Sequence, residues 1–314
     1  MLLAFLVILT ATIVPTYLYV RFFYWADRYE REPRWLILAA FLWGAVPAVI
    51  ASLLGEMVLS IPAQDATLLS DALSAPIVEE LSKGFALFLI FWFMQSEFDG
   101  VLDGLTYGSM IGFGFAMTEN FLYFIGAYGQ GGYRNLSIIF FLRTVLFGLN
   151  HAFYTGFSGI GLGLARESRS ALARVIWPLV GLSFAIVAHS LHNFGANIAE
   201  RNGLGLVLSL SVAVLGFAFI LFTILLSWQY ERNFIRKELA EEIGITLTEQ
   251  EYAMLTQHWR NPVRPAKSEW AAMQRLQLCV ELALRKHRLH RLGALAEPAL
   301  PQEIAQIREQ LALM

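Results

Sequence analysis

Cysteine is almost absent. The 314 residues hold one, Cys279, which excludes an intrachain disulfide and any cysteine-cluster metal site. Cys279 lies in an amphipathic stretch and reads as a small core residue. Charge is scarce as well: 15% of residues are Asp, Glu, Lys or Arg, against ~25% in soluble domains. A net charge of −2 leaves no basic surplus for nucleic acid. The N-terminus has neither a basic n-region nor a small-residue cleavage site. Its apolar run therefore reads as a first transmembrane helix and not as a removed signal peptide. The metalloprotease signature of two histidines flanking a glutamate on one helix is also missing.

What is present is hydrophobic: 57% of the residues, with a mean hydropathy of +0.54. This predicts an all-α, polytopic membrane helix bundle. A span needs about 20 mostly apolar residues. Seven runs qualify, about Leu2–Val20, Trp35–Ser60, Leu73–Met94, Val101–Ala127, Leu136–Leu164, Ile176–Ala199 and Leu204–Trp228. The loops between them include the charged Asp27–Pro33, the polar Ile61–Asp71 and the glycine-rich Tyr128–Asn135. Glycines 104, 108 and 112 recur every four residues in the fourth span, a spacing that lets a neighbouring helix approach closely.

Lys and Arg divide unevenly, 11 in residues 1–228 and 12 in residues 229–314. The expected organisation is a transmembrane domain over 1–228 and a small helical cytoplasmic tail over 229–314. Lys and Arg concentrate on the cytoplasmic side of membrane proteins. With the N-terminus outside, cytoplasmic segments hold ten of the loop-borne basic residues and external loops hold Arg134 and Arg201. The expected location is the plasma membrane, N-terminus outside and C-terminus inside.

In the tail, Gly244 reads as a helix stop and Thr246–Glu249 as a helix start. Pro262 and Pro265 precede an amphipathic run, Glu269–Leu292, and a short helix follows Pro301. The run Arg285–Arg291 reads as a solvated face, or one leaning on anionic lipid headgroups, rather than a metal site. The tail carries no catalytic motif, and its expected role is to bind a cytoplasmic partner.

The spans contain polar groups where lipid should be. Glu79, Glu80 and Lys83 sit near the start of the third. A charge at the bilayer centre costs at least ~2.5–3.5 kcal/mol on insertion scales, so it is rarely kept without a use. Glu79 and Lys83, four apart, share a helix face, and Glu80 reaches Lys83 at three. Glu119 and Asn120 lie in the fourth span, His151 in the fifth, and His189, His192 and Asn193 in the sixth. At ~1.5 Å per residue, Glu79, Glu119, His151 and His189 fall ~10–15 Å from the outer ends or starts of their spans. Helices of alternating direction thus bring their polar groups to similar depth in the outer half, which favours one shared site. His192 and Asn193 point ~100° apart, so both cannot face its centre equally, and the same holds for Glu79 and Glu80.

Carboxylates and imidazoles without a Cys or Ser nucleophile suit water activation. A carboxylate can take a proton from water, and His and Asn can donate to an oxyanion. Glu and His also suit a divalent metal such as zinc. A proton or ion pathway uses the same residue types, as would a scaffold that keeps the cluster for structure or ligand binding. Composition alone leaves these open.

Four blocks resemble the PrsW family of intramembrane proteases, akin to the wider group of CAAX prenyl endopeptidases and bacterial self-immunity proteins. They are Pro76–Lys83, Asp103–Tyr123, Arg143 with His151 to Gly156, and His189–Phe194; Asp27–Pro33 fits the family's first loop. The resemblance covers nearly all of 1–228 and none of the tail. It implies proteolysis of a membrane-anchored protein, such as an anti-sigma factor, near the outer face. Carried onto this chain, it makes Glu79 and Glu80 the catalytic motif, completed by Glu119, His151 and His189. Lys83 pairs with a carboxylate and Asn193 assists. Glu119, His151 and His189 are the expected set for a divalent metal or the oxyanion. The wider group has His where this chain has Glu119, and Arg where it has Lys83, so its ligand assignments do not transfer directly.

Overall fold

Backbone polar groups in lipid must be satisfied within the chain, and a single apolar segment can do that only as a helix. The computed structural model follows this rule: apart from one isolated bridge, Ile243 to Leu247, its regular structure is helical among the described residues. Those are residues 1–26, 32–60, 68–199, 201–257, 270–294 and 297–314. The loop residues 27–31 and 61–67, Pro262, Pro265 and Glu269 lie outside them.

The chain divides into two compact units. The first comprises Met1–Ala26 and Glu32–Thr223; the second includes Ile224–Met314. In the first unit the helices are α1 (Leu2–Ala26), α2 (Arg34–Trp43), α3 (Val49–Ser60), α4 (Leu68–Phe93), α5 (Val101–Phe140), α6 (Asn150–Glu167) and α7 (Ala171–Ala199). Helix α8 (Gly203–Ala240) runs past the division at Thr223 without a break. The second unit adds α9 (Glu249–Gln257), α10 (Trp270–Leu292) and α11 (Leu300–Ala312).

Five helical runs among the described residues are long and apolar enough to cross a membrane: Leu2–Ala26, Arg34–Val58, Val101–Glu167, Ala171–Ala199 and Gly203–Ala240. The third is 67 residues long, ~100 Å at the rise of an α-helix, far beyond one crossing. It is interrupted twice. Gly131 and Gly132 leave helical geometry, Gly132 with φ +62°, a left-handed value that glycine adopts without a Cβ penalty. The expected glycine-rich loop is thus a two-residue break. A second interruption, at 147–149, separates a π-helical turn, Phe141–Leu146, from α6. Helix α4 has the length to span but carries Glu79, Glu80 and Lys83. Leu3 on α1, Leu179 on α7 and Leu215 on α8 are each at least 60% exposed, as on faces covered by lipid. The protein is a multi-pass membrane protein.

The glycine spacing of α5 is used as its periodicity predicts. A Cβ on Gly104 would lie 2.1 Å from the carbonyl oxygen of Gly159, and one on Gly112 would lie 2.3 Å from that of His151. Only glycine permits this approach, so α5 and α6 run backbone to backbone. That contact carries the first turn of α6, with His151, against the middle of α5.

In the second unit a small apolar core joins Phe234, Ile235 and Leu239 to Leu255, Val280, Leu282 and Ile307. Cys279 is fully buried within it, and burial pushes its thiol up to about 12. Gly244 has φ +78°, the left-handed geometry of a helix stop. The expected start at Thr246–Glu249 is a capping box: Thr248 Oγ1 accepts the Glu251 amide at 3.2 Å, and Glu251 accepts the Thr248 amide at 2.7 Å.

Candidate active site

Positions 79, 80 and 83 of α4 occupy one inward face, and each side chain is buried. The Lys83 ammonium donates to Glu79 Oε2 and Glu80 Oε1, both at 2.9 Å. It lies 3.3 Å from His151 Nδ1 and 3.7 Å above the centre of the Phe115 ring. Glu80 is gripped from two further helices. Thr155 Oγ1 of α6 donates to its Oε2 at 3.1 Å, and His189 Nδ1 of α7 lies 3.0 Å from its Oε1. The His189 ring stacks on Tyr154 at 4.5 Å and meets His151 edge-on at 5.1 Å. Glu79, Glu80, His151 and His189 thus each offer a ligand atom, and those atoms lie within 4.8 Å of one another.

The two glutamates are not equivalent. Glu80 and Lys83 have fully buried side chains, whereas Glu79 keeps 8% of its side chain exposed. Beyond Glu79 the site opens. Glu119 and Arg143 are 22% and 23% exposed and joined by a 2.5 Å ion pair. Glu119 also lies 2.8 Å from His151 Nε2, the ring nitrogen turned away from Lys83. Glu56 of α3 is half-buried and within electrostatic range of Glu79, Glu119, Lys83 and His189.

The structure therefore brings Glu79, Glu80, Lys83, Glu119, His151 and His189 into one network. It puts Glu119 behind His151, outside the four converging donors, and Glu80 in front. Asn193 makes no hydrogen bond to this network among the described residues. The neighbouring His192 turns to Asn150, 3.2 Å from its amide nitrogen, and to the Phe147 ring. Sequence reasoning passed over Thr155 and Tyr154. A signal for both was there, since they follow His151 by four and three residues and share its helix face.

Two imidazoles and two carboxylates form a donor set suited to zinc or a similar divalent ion. The charge balance agrees. Three carboxylates of the network face two cationic side chains, leaving one negative charge over with the imidazoles neutral. The pocket already holds a cation, since the Lys83 ammonium is bound by two carboxylates and the edge of an imidazole.

The family described as PrsW family intramembrane metalloprotease matches residues 32–225, well over half of the chain. The chain belongs to the PrsW family. Protease PrsW of Bacillus subtilis (strain 168) is 30% identical over 187 residues, covering 60% of this chain and 81% of that protein. Protease PrsW of Geobacillus kaustophilus (strain HTA426) is 27% identical over 201 residues, covering 62% of this chain and 82% of that one. No solved structure matches. The family match contains all four helices that supply the PrsW network and ends within α8, leaving out the helical tail.

Proposed function

We propose that the converging network is the catalytic centre of an intramembrane endopeptidase that cleaves membrane-anchored proteins near the outer face of the membrane. An anti-sigma factor is one such substrate. The observation that carries this reading is the difference between the glutamates. Glu80 is fixed by Lys83, Thr155 and His189 with no exposed surface, while Glu79 borders the open side.

In this reading Glu79 is the general base. It takes a proton from water as the water oxygen attacks the peptide carbonyl carbon. The same proton passes to the leaving amine nitrogen as the C–N bond breaks. General acid–base groups contribute ~10²–10⁴-fold to such steps. Lys83 balances the charge of both carboxylates and holds them apart. Glu80, His151 and His189 would hold a divalent metal, which when bound supplies Lewis-acid polarisation of the carbonyl and of water. In this reading Glu80 takes the place that the family resemblance gave to Glu119.

The positive-inside distribution supports an outer N-terminus, and the similar depth of the polar groups supports a site in the outer half. We assign residues 1–228 to the protease domain and 229–314 to a cytoplasmic tail whose role is to bind a partner. The test is co-expression with a tagged, membrane-anchored substrate. Replacing Glu79 and Glu80 together with Ala abolishes cleavage while the protein still accumulates in the membrane. Undiminished cleavage sinks the proposal.

A further inference from the structure

Arg143 lies outside the four donors yet is tied to one of them. It sits on the π-helical turn Phe141–Leu146, and such turns are frequent at functional sites. Among the described residues its side-chain partners come from a single stretch of α5. Nε donates to Asn120 Oδ1 at 2.8 Å, Nη2 donates to Glu119 Oε2 at 2.5 Å, and the guanidinium lies 3.9 Å above the Tyr123 ring. The oxygen that Arg143 grips is the one that meets His151 Nε2 at 2.8 Å.

These contacts leave His151 one tautomer. A carboxylate paired with a guanidinium only accepts, so His151 Nε2 carries the hydrogen. An ammonium only donates, so Nδ1, 3.3 Å from Lys83 Nζ, carries the lone pair. Nδ1 is on the side of Glu79, Glu80 and His189, and only a lone pair binds a metal. We propose that Arg143 is a positioning residue. It locks Glu119, and Glu119 holds His151 in the Nε2–H tautomer with Nδ1 directed at the cation site. Glu119 is then a support for a ligand and not a ligand itself. Metal-bound histidines usually depend on such a carboxylate partner. This inference rests on the metal-site reading given above, but it can fail separately from it.

The test measures Zn(II) binding by the full-length protein in detergent, with Tm recorded for every variant. Glu119→Ala weakens Zn(II) binding ~10–100-fold, the range for loss of an outer partner. Arg143→Ala weakens it by about tenfold within that range. The double variant binds no worse than Glu119→Ala alone, because Arg143 acts through Glu119. Arg143→Lys, which keeps the charge and the fold but loses the planar fork, binds at an intermediate level. Ring ¹⁵N signals of His151 in the metal-free protein show Nε2 protonated in the wild type and a tautomer mixture in Arg143→Lys.

Additive losses in the double variant overturn the proposal. So does Zn(II) affinity in Arg143→Ala and Arg143→Lys within twofold of wild type, or a wild-type protein that takes up no Zn(II). If Zn(II) binding responds as stated and no membrane-anchored substrate is cleaved, the protease reading fails and this one stands. If Arg143→Ala cleaves normally with unchanged Zn(II) binding, this one fails and the protease reading stands.

Discussion

Each unit of the protein buries a lysine between carboxylates, and the two arrangements differ in kind. In the tail, Lys286 donates to Glu242 Oε1 and to the Glu238 carbonyl oxygen, both at 2.8 Å. Glu242 is further held by Arg308 and Thr246. Glu238 receives His290 at 2.9 Å, and Arg288 pairs with Glu297 at 2.8 Å. The basic run Arg285–Arg291 is thus largely engaged with acids of its own unit, which accounts for it as a staple between α8, α10 and α11. In the membrane unit the lysine also holds two carboxylates, but two imidazoles join them and the four donor atoms converge. The membrane cluster thus adds converging donor atoms and an open side, neither of which fastening helices requires.

Breaking the membrane cluster has the larger functional effect. Replacing His151 or His189 with Ala lowers bound metal per chain to near background, measured by elemental analysis, and cleavage falls at least ~100-fold with it, the scale of losing one catalytic group. Metal content equal to wild type in both variants would remove them from the donor set. Lys83→Met comes next. It leaves Glu79 and Glu80 facing each other uncompensated, and losing one partner of a buried pair costs ~3–5 kcal/mol. The membrane unit then melts earlier unless Zn(II) is added, and added Zn(II) restores much of the loss. A melting point that Zn(II) does not move contradicts a cation site at this position.

The tail gives the contrasting result. Lys286→Met destabilises the second unit by up to about 3 kcal/mol, less than a sole partner would, because Arg308 and Thr246 stay on Glu242. Its metal content is unchanged, and a loss of metal there would blur the distinction between the two clusters.

The smallest effect is in pH. Burial alone would raise the Glu242 carboxyl, but hydrogen bonds from Arg308, Lys286 and Thr246 outweigh it and hold the carboxyl below its ordinary value. Burial, helped by Arg291, lowers His287 below the usual imidazole value. Both folded values are depressed, so both contributions are complete above the unfolded values and fade as pH falls through the folded ones. The tail's Tm therefore declines gently below pH ~6.5 and more steeply below ~4.3, the ordinary His and Glu values. A Tm that rises on acidification contradicts the assignment.

Much of this contrast was legible in the residues. Charges inside apolar runs, at similar depth on four spans, marked Glu79, Glu119, His151 and His189 as one site before any helix was placed. Glycines 104 and 112 foretold a close helix approach, and the structure shows α6 as the neighbour. What periodicity does not carry is which atom of a side chain faces which neighbour. The family resemblance put Glu119 among the expected metal ligands, and in the structure its carboxylate meets the far nitrogen of His151. The interruption at 147–149, which starts α6 afresh just before His151, has no proline and only Gly148 to announce it. The tail's pairs on Glu238 and Glu242 join residues 44 to 66 apart in sequence, beyond any local pattern.

The central claim is that Glu79 performs the chemistry in a site whose remaining members bind and orient. Glu79→Gln keeps the shape and removes the base. Its single-turnover cleavage of a membrane-anchored substrate, measured with bound metal in the same sample, tests that claim most directly. The account predicts wild-type metal content with cleavage slowed at least ~100-fold. Cleavage within tenfold of wild type at full metal content would contradict it.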